Sequence, residues 1–246
     1  MNCDLLQDLS NKTVLCIGCG RGDTTRELAV YMAGGGGRLI VTDISDEHFE
    51  TMRADLAPLN LSVDFIRTSP LKLAGIRQSS IDLVVCNFTL SAINAVVGQG
   101  ELALHKMYEV LKLGGKLYVE EELPYYMAAS PTQAIWAEQW RLLKAAQLLA
   151  GMRPSNEYQP DVLEALVNQA GFEEVDVSDK LFTLSTSTWW PSFEAQVEDR
   201  LESIENETLK AGLLERKQFL LSKANEIGSI DVPYITLTAV KPWRID

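Results

Sequence analysis

Val14-Leu15-Cys16-Ile17-Gly18-Cys19-Gly20-Arg21-Gly22 is an apolar run that breaks into three glycines within five residues. The segment from Thr13 to Ile17 lacks polar alternation, which is the pattern of a strand buried on both faces. The glycines that follow let the chain bend sharply and let a ligand approach the backbone without meeting a Cβ. Free N–H groups in such a turn, and at the helix N-terminus beyond it, favour an anionic group such as a carboxylate. In an open α/β sheet, ligands bind there, beyond the carboxyl ends of the strands and beside the first one.

Outward from this turn, strand and helix signals alternate at short intervals. Thr24 and Glu27 form a T-x-x-E capping box that predicts a helix start, and the four glycines Gly34 to Gly37 end that helix. Leu39 to Thr42 reads as the second strand. Ser45 is placed to cap a helix running to Leu56, with Pro58 marking its end. Val63 to Ile66 and Ile81 to Cys86 are the third and fourth strands. A helix is expected from Glu101 to Leu111, closed by Gly114-Gly115, with Lys116 to Glu120 as the fifth strand. This rhythm predicts an α/β fold with a doubly wound, mostly parallel sheet.

The second half differs in texture. Residues 124–156 read as a helical insertion rich in Trp, Tyr, Leu and Ala. Gln159 to Ala170 is a further helix, with Pro160 suited to its first turn and Gly171 past its end. Phe172 to Thr183 reads as a strand, Pro191 to Ala224 as a long helical stretch, and Tyr234 to Val240 as the last strand. The expected organisation is a cofactor-binding half over 1–123, a helical cap over 124–158 and a core continuation over 159–187. A second helical insertion over 188–230 completes the cap, and a final core strand lies within 231–246.

Asp43 ends the second strand, 21 residues after Gly22. A carboxylate there can accept both hydroxyl hydrogens of a ribose, so turn and acid together specify a nucleoside ligand. The spacing is G-x-G-x-G, with Asp23 where a dinucleotide fingerprint needs a third small residue, which argues against a nicotinamide cofactor.

Composition narrows the class of partner. The chain has 246 residues, 46% apolar and 23% charged, which suits one enlarged α/β domain or a core with a small cap. Its 34 acidic and 22 basic residues give a formal net charge of −12, so it has no general attraction to phosphate backbones. A nucleic-acid partner is disfavoured, and a small neutral or cationic molecule fits better. No run of 18 apolar residues predicts a membrane span, and Met1 to Ser10 lacks the pattern of a signal peptide. Cys3, Cys16, Cys19 and Cys86 form no disulfide framework, and the single C-x-x-C of Cys16 and Cys19 has no second pair with which to hold zinc. A reduced, cytoplasmic chain without a metal is expected, with a homodimer left open.

These motifs resemble a known family. Residues 14–22 resemble motif I of the class I S-adenosylmethionine-dependent methyltransferases, and Val41-Thr42-Asp43-Ile44-Ser45 resembles their second motif. Ile81-Asp82-Leu83-Val84-Val85-Cys86-Asn87 is similar to the fourth-strand motif, and Val110-Leu111-Lys112-Leu113-Gly114-Gly115-Lys116-Leu117 to the segment entering the fifth strand. Ala170-Gly171-Phe172 is similar to the turn before the sixth strand. The resemblance covers residues 10–123, resumes over 159–183 and returns in the last strand. It implies a seven-stranded, Rossmann-like methyltransferase fold with helical cap insertions, and S-adenosyl-L-methionine as cofactor. By position, Gly18, Cys19 and Gly20 would hold the methionine portion, Asp43 the ribose, Ile44 the adenine face and Asn87 the sulfonium end. Asp82 would close a structural hydrogen bond. The family usually has Asp or Glu where Cys16 stands, and an Asp followed by a small residue where this chain has Ser69-Pro70. Ser69 could still accept a hydrogen bond near adenine.

The implied reaction is in-line methyl transfer to a small-molecule acceptor, in which positioning supplies much of the acceleration. His48 and His105 fall in predicted helices, so no histidine base is evident. Glu120, Glu121, Glu122, Tyr125 and Tyr126 follow the fifth strand, and Glu122 and Tyr125 are the candidate catalytic pair. Trp136, Trp140, Trp189 and Trp190 are expected to pack the cap, with pocket lining as a second role. Cys86 is either a buried small side chain or a ligand for a soft acceptor. The departures at Cys16 and Ser69 leave an alternative: a non-catalytic module that binds S-adenosylmethionine or S-adenosylhomocysteine and regulates.

Overall fold

The computed structural model describes residues 8–244. Cys3 and most of the Met1–Ser10 segment lie outside them. Seven strands form one sheet: β1 (Thr13–Ile17), β2 (Arg38–Asp43), β3 (Ser62–Arg67), β4 (Ile81–Asn87), β5 (Leu111–Glu122), β6 (Glu173–Ser185) and β7 (Ser229–Val240). The strand order is β3-β2-β1-β4-β5-β7-β6. The helices are α1 (Asp23–Met32), α2 (Phe49–Leu56), α3 (Leu90–Ile93), α4 (Gln99–Val110), α5 (Pro131–Leu149), α6 (Pro160–Gln169), α7 (Thr186–Glu202) and α8 (Glu207–Ile227).

β1 lies at the switch point, parallel to β2 on one side and to β4 on the other. Register and alternation explain why it reads as uniformly apolar. Val14 and Cys16 align with Leu39 and Val41 of β2 and with Leu83 and Val85 of β4, in one layer under Leu28, Met32, Phe49 and Met52 of α1 and α2. Leu15 and Ile17 point the other way and are equally buried. Asp82 does close a strand-start bond: it accepts the Thr13 N–H at 2.9 Å and pairs with Lys112 Nζ at 2.7 Å.

The sheet is mixed rather than purely parallel. Gly114 donates to Lys241 O at 2.8 Å while Leu123 donates to Pro233 O at 3.0 Å, so β7 runs against β5. Gly114 and Gly115 do not end a helix before β5 but lie inside it. Gly114 has φ +72°, and the pairing with β4 jumps from Ile81↔Leu111 to Leu83↔Lys116, so the glycines make an irregularity that re-aims the strand.

Other local expectations shift for physical reasons. The Thr24–Glu27 capping box does not form, because α1 starts at Asp23 behind Gly22 in the left-handed region, with no side-chain cap. Ser45 caps no helix. Its hydroxyl accepts the Glu47 N–H at 3.3 Å in the loop, and α2 begins only at Phe49. The stretch expected from Pro191 to Ala224 is two helices, with Pro191 inside α7 and Asn206 capping α8 through the N–H groups of Thr208 and Leu209.

The chain divides into two compact units. Among the described residues the first comprises 8–121, 160–178 and 235–244; in it α1 packs on β2 and α2, and α4 packs on α3 and α6. The second comprises residues 122–159 and 179–234, in which α5, α7 and α8 pack on one another. Its core includes Trp136, Trp189, Trp190 and Phe193, the last three in mutual ring contact at 5.2–5.7 Å between centroids. Among the described residues no helix is long and apolar enough to cross a membrane.

Candidate functional site

The glycine turn is held against the end of β2. Gly18, Gly20 and Gly22 all have positive φ, at +69°, +49° and +94°, a region that a Cβ penalises. The N–H groups of Gly18 and Cys19 donate to Thr42 O at 2.9 and 3.2 Å, and the Thr42 hydroxyl returns a bond to Cys16 O at 3.0 Å. Asp43 then closes the arrangement. One carboxylate oxygen accepts the Gly20 N–H and the other the Ser45 N–H, each at 3.0 Å. The Cys19 thiol also donates to Asp43, at 3.8 Å; an ionised carboxylate has about four acceptor positions, so about one remains for a ligand's hydroxyl.

Beside Asp43 lies a cavity of about 400 Å³. Of the residues expected to hold the cofactor, Gly18, Gly20, Asp43, Ile44 and Ser69 line it; Cys19 and Asn87 do not. Ile44 is 67% exposed although apolar, which suits a platform for a planar ring. A Cβ built on Gly20 would meet nothing within 4 Å, so open space lies beside the turn. Ser69 Oγ accepts the Leu71 N–H at 3.2 Å and keeps a free donor hydrogen. These features fit an adenosyl ligand with a charged amino-acid end.

The sequence reading missed one wall. Phe88, Thr89, Ala92, Ile93, Val96 and Gln99 all line the cavity. They come from a segment that reads as plain loop, because α3 is a single turn of four residues, too short to show a helical period. Phe88, at φ +49° and 43% exposed, departs from ordinary packing in that segment, and Val97 is exposed as well.

Cys16 does not face the cavity. It is buried, with Sγ 3.6 Å from the Thr25 hydroxyl of α1, and burial pushes its thiol up to about 11. Burial, with Asp43 beside it, pushes the Cys19 thiol up to about 12. Cys86 is fully buried, and its thiol is raised well above its usual range. Burial thus favours the neutral thiol at all three, which suits packing groups. Among the described residues no cluster of three or more His, Cys, Asp or Glu is arranged to hold a metal.

The three consecutive glutamates have three separate environments. Glu120 is buried and accepts from Asn87 Nδ2 at 2.8 Å and from the Tyr118 hydroxyl. Asn87 Oδ1 is buried without a partner among the described residues. Glu121 is 2% exposed and accepts the backbone N–H groups of Thr89, at 2.8 Å, and Leu90. Burial pushes its carboxyl up to about 7, against the opposing effect of the Ser91 hydroxyl and the N–H groups of Leu90, Ser91 and Thr89. Glu122 is partly buried, and one of its oxygens accepts both indole N–H groups, from Trp136 at 3.0 Å and from Trp140. Burial raises its carboxyl too, partly offset by the two indoles. Tyr125 lies under two cations, Arg141 at 5.3 Å and Lys144 at 5.5 Å from its ring centroid.

Comparison with known proteins gives a consistent picture. A family described as a methyltransferase domain matches residues 14–115. The ubiquinone/menaquinone biosynthesis C-methyltransferase UbiE of Escherichia fergusonii is 28% identical over 178 residues, covering 67% of this chain and 68% of that protein. The YcgJ protein of Bacillus subtilis has the same fold at a TM-score of 0.62 and 14% identity, covering 97% of this chain and 95% of that one. A phosphoethanolamine N-methyltransferase of Haemonchus contortus, solved with phosphomonomethylethanolamine and S-adenosylhomocysteine, matches at a TM-score of 0.58 and 16% identity. That alignment covers 96% of this chain and 50% of the other.

Proposed function

We propose that the chain is a class I S-adenosylmethionine-dependent methyltransferase, as the match of residues 14–115 to a methyltransferase domain supports, and that it transfers the methyl group by in-line displacement to a small-molecule acceptor. The observation that carries this reading is the cavity of about 400 Å³ bounded by the glycine turn, Asp43 and Ile44. S-adenosylmethionine, the cofactor of this enzyme, supplies an activated methyl group on a sulfonium.

Each residue of the chain then has a definable task. Gly20 leaves open space for the methionine portion, Gly18 admits the Thr89 side chain against the turn, and Asp43 offers its remaining acceptor capacity to a ribose hydroxyl. Ile44 offers an apolar face to adenine, and Ser69 a hydroxyl to its edge. Asn87 and Cys19 support this shell from outside the cavity lining.

For catalysis we propose Glu122 and Tyr125, neither of which lines the cofactor cavity. Burial raises the Glu122 carboxyl, which brings it closer to the range of a general base working near neutrality. The two indoles hold it in one orientation. The cations beside Tyr125 suit a phenol that steers a hydroxylated or partly anionic group. The net charge of −12 argues against a nucleic-acid acceptor. The free, buried Cys16, Cys19 and Cys86 suit the cytoplasm.

The test is methyl transfer from isotopically labelled S-adenosylmethionine to a panel of quinols, phenols, amines and tRNA. Label in a small molecule supports the reading, whereas label confined to tRNA would sink it.

A further inference from the structure

We infer that Glu121 is a positioning residue for the cofactor cavity: its buried carboxylate fixes the segment from Thr89 to Ile93 and, through Thr89, the glycine turn. The inference rests on the assignment of this cavity to the cofactor.

A carboxylate at 2% exposure is costly unless something repays its desolvation. What surrounds Glu121 is a set of backbone donors: the N–H groups of Thr89, Leu90 and Ser91, joined by the Ser91 hydroxyl. These are the orphan donors at the start of α3. A four-residue helix cannot hold its own shape, because nucleation fixes several dihedrals for one hydrogen bond. Its geometry must come from outside, and Glu121 on β5 supplies it. The segment so fixed is the cavity wall that includes Thr89, Ala92 and Ile93.

Thr89 carries the constraint to the opposite wall. Its hydroxyl lies 2.8 Å from Asn87 O and 3.3 Å from Gly18 O, and its side chain occupies the space where a Cβ on Gly18 would sit. A shift of the Thr89 backbone would therefore move the atom that sets the depth of the glycine turn.

The ionised carboxylate accepts several N–H bonds at once. The protonated acid turns one oxygen into a donor and gives up acceptor capacity, so it no longer holds all four donors, the three N–H groups and the Ser91 hydroxyl, at once. The groups bearing on its titration are the Thr89, Leu90 and Ser91 donors from the α3 side, the Cys86 thiol from β4, and Glu120 and Glu122 on its own strand. Ionised Glu121 therefore goes with the ordered wall, and protonated Glu121 with a looser one.

The experiment is calorimetric binding of S-adenosylhomocysteine between pH 6 and 8 to the wild type, E121Q and S91A. The wild type should bind more tightly as pH rises through about 7. E121Q, which mimics the protonated acid, should show a flat profile and bind about tenfold more weakly at pH 8, the loss expected for one charge-assisted bond. S91A should shift the midpoint to higher pH, because the Ser91 hydroxyl favours the charged form. A flat wild-type profile, or a pH dependence that survives in E121Q, overturns the inference while leaving the cofactor assignment standing. Wild type that binds at no pH overturns both. If E121Q does not fold, the wild-type and S91A profiles still decide.

Discussion

Thr89 fills the position that a side chain on Gly18 would need: a Cβ there would sit 2.2 Å from Thr89 Cγ2 and 2.4 Å from its hydroxyl oxygen. Gly18 also has φ +69°. G18A therefore combines backbone strain with a clash and should cost about 2 kcal/mol or more. G20A meets only the strain, since its methyl would enter open space. It should cost about 1 kcal/mol in stability while weakening S-adenosylhomocysteine binding disproportionately. Urea unfolding and calorimetry on both variants separate the two effects. Equal losses of stability would contradict the geometry.

Asp43 should matter through charge more than shape. D43N can still accept the Gly20 and Ser45 N–H bonds only in part, and it lacks a second acceptor oxygen for ribose. Binding of S-adenosylhomocysteine should weaken at least about tenfold, the scale of a lost hydrogen bond to a charged group. D46N, at an exposed ion pair 3.7 Å from Arg67, serves as the control and should leave affinity within about twofold.

Glu121 should oppose stability as it serves binding. Burial raises its carboxyl from its ordinary 4.5 to about 7, so the unfolded chain ionises first. Its contribution is fully present below about pH 4.5, is lost as pH rises toward 7, and is level above that. The slope across that window is about 1.4 kcal/mol per pH unit at most. Unfolding free energies of wild type and E121Q, measured from pH 5 to 8, should converge at low pH and diverge in favour of E121Q at high pH. Parallel curves would refute the shift.

The buried thiols should be inert. Cys16, Cys19 and Cys86 are buried, and burial raises all three thiols, so they are protonated at pH 8. In a C3S background, Ellman's reagent should report almost no fast-reacting thiol in native protein and three after denaturation. A fast native thiol would contradict this packing.

Glu122 should separate chemistry from cofactor affinity. E122Q should lower kcat by about a hundredfold, the lower range for loss of a general base, and leave S-adenosylhomocysteine binding unchanged. W140F, which removes one of the two indole donors, should have a smaller effect in the same direction. Unchanged turnover in E122Q would reject its assignment as a base.

The cofactor half was legible because its rules are local. The apolar run into glycines, the acid ending β2 and the apolar strand ending at Asn87 each carry their meaning in a few adjacent residues. Ile44 and Ser69, assigned by resemblance, also line the cavity. The α3 wall was not legible, because a one-turn helix has no period to detect and its cap is supplied by Glu121, thirty-odd positions along the chain. Gly114-Gly115 misled for a related reason. Two glycines after a helix read as a stop, but the pairing of β5 with β4 and β7 turns them into a kink within the strand.

The sequence by itself determined the glycine turn, its carboxylate partner and the order of the strand–helix units, since these follow from periodicity and backbone sterics over short spans. It could not assign the run Glu120-Glu121-Glu122, which reads as a single acidic cluster. Only the tertiary structure decided that these carboxylates serve separate partners, with Glu120 on Asn87, Glu121 on the start of α3 and Glu122 on two indoles. The physical reason is that successive side chains of a strand point to opposite faces. What each acid meets is then fixed by elements distant in sequence, and the cost of burying a charge is settled only by those partners.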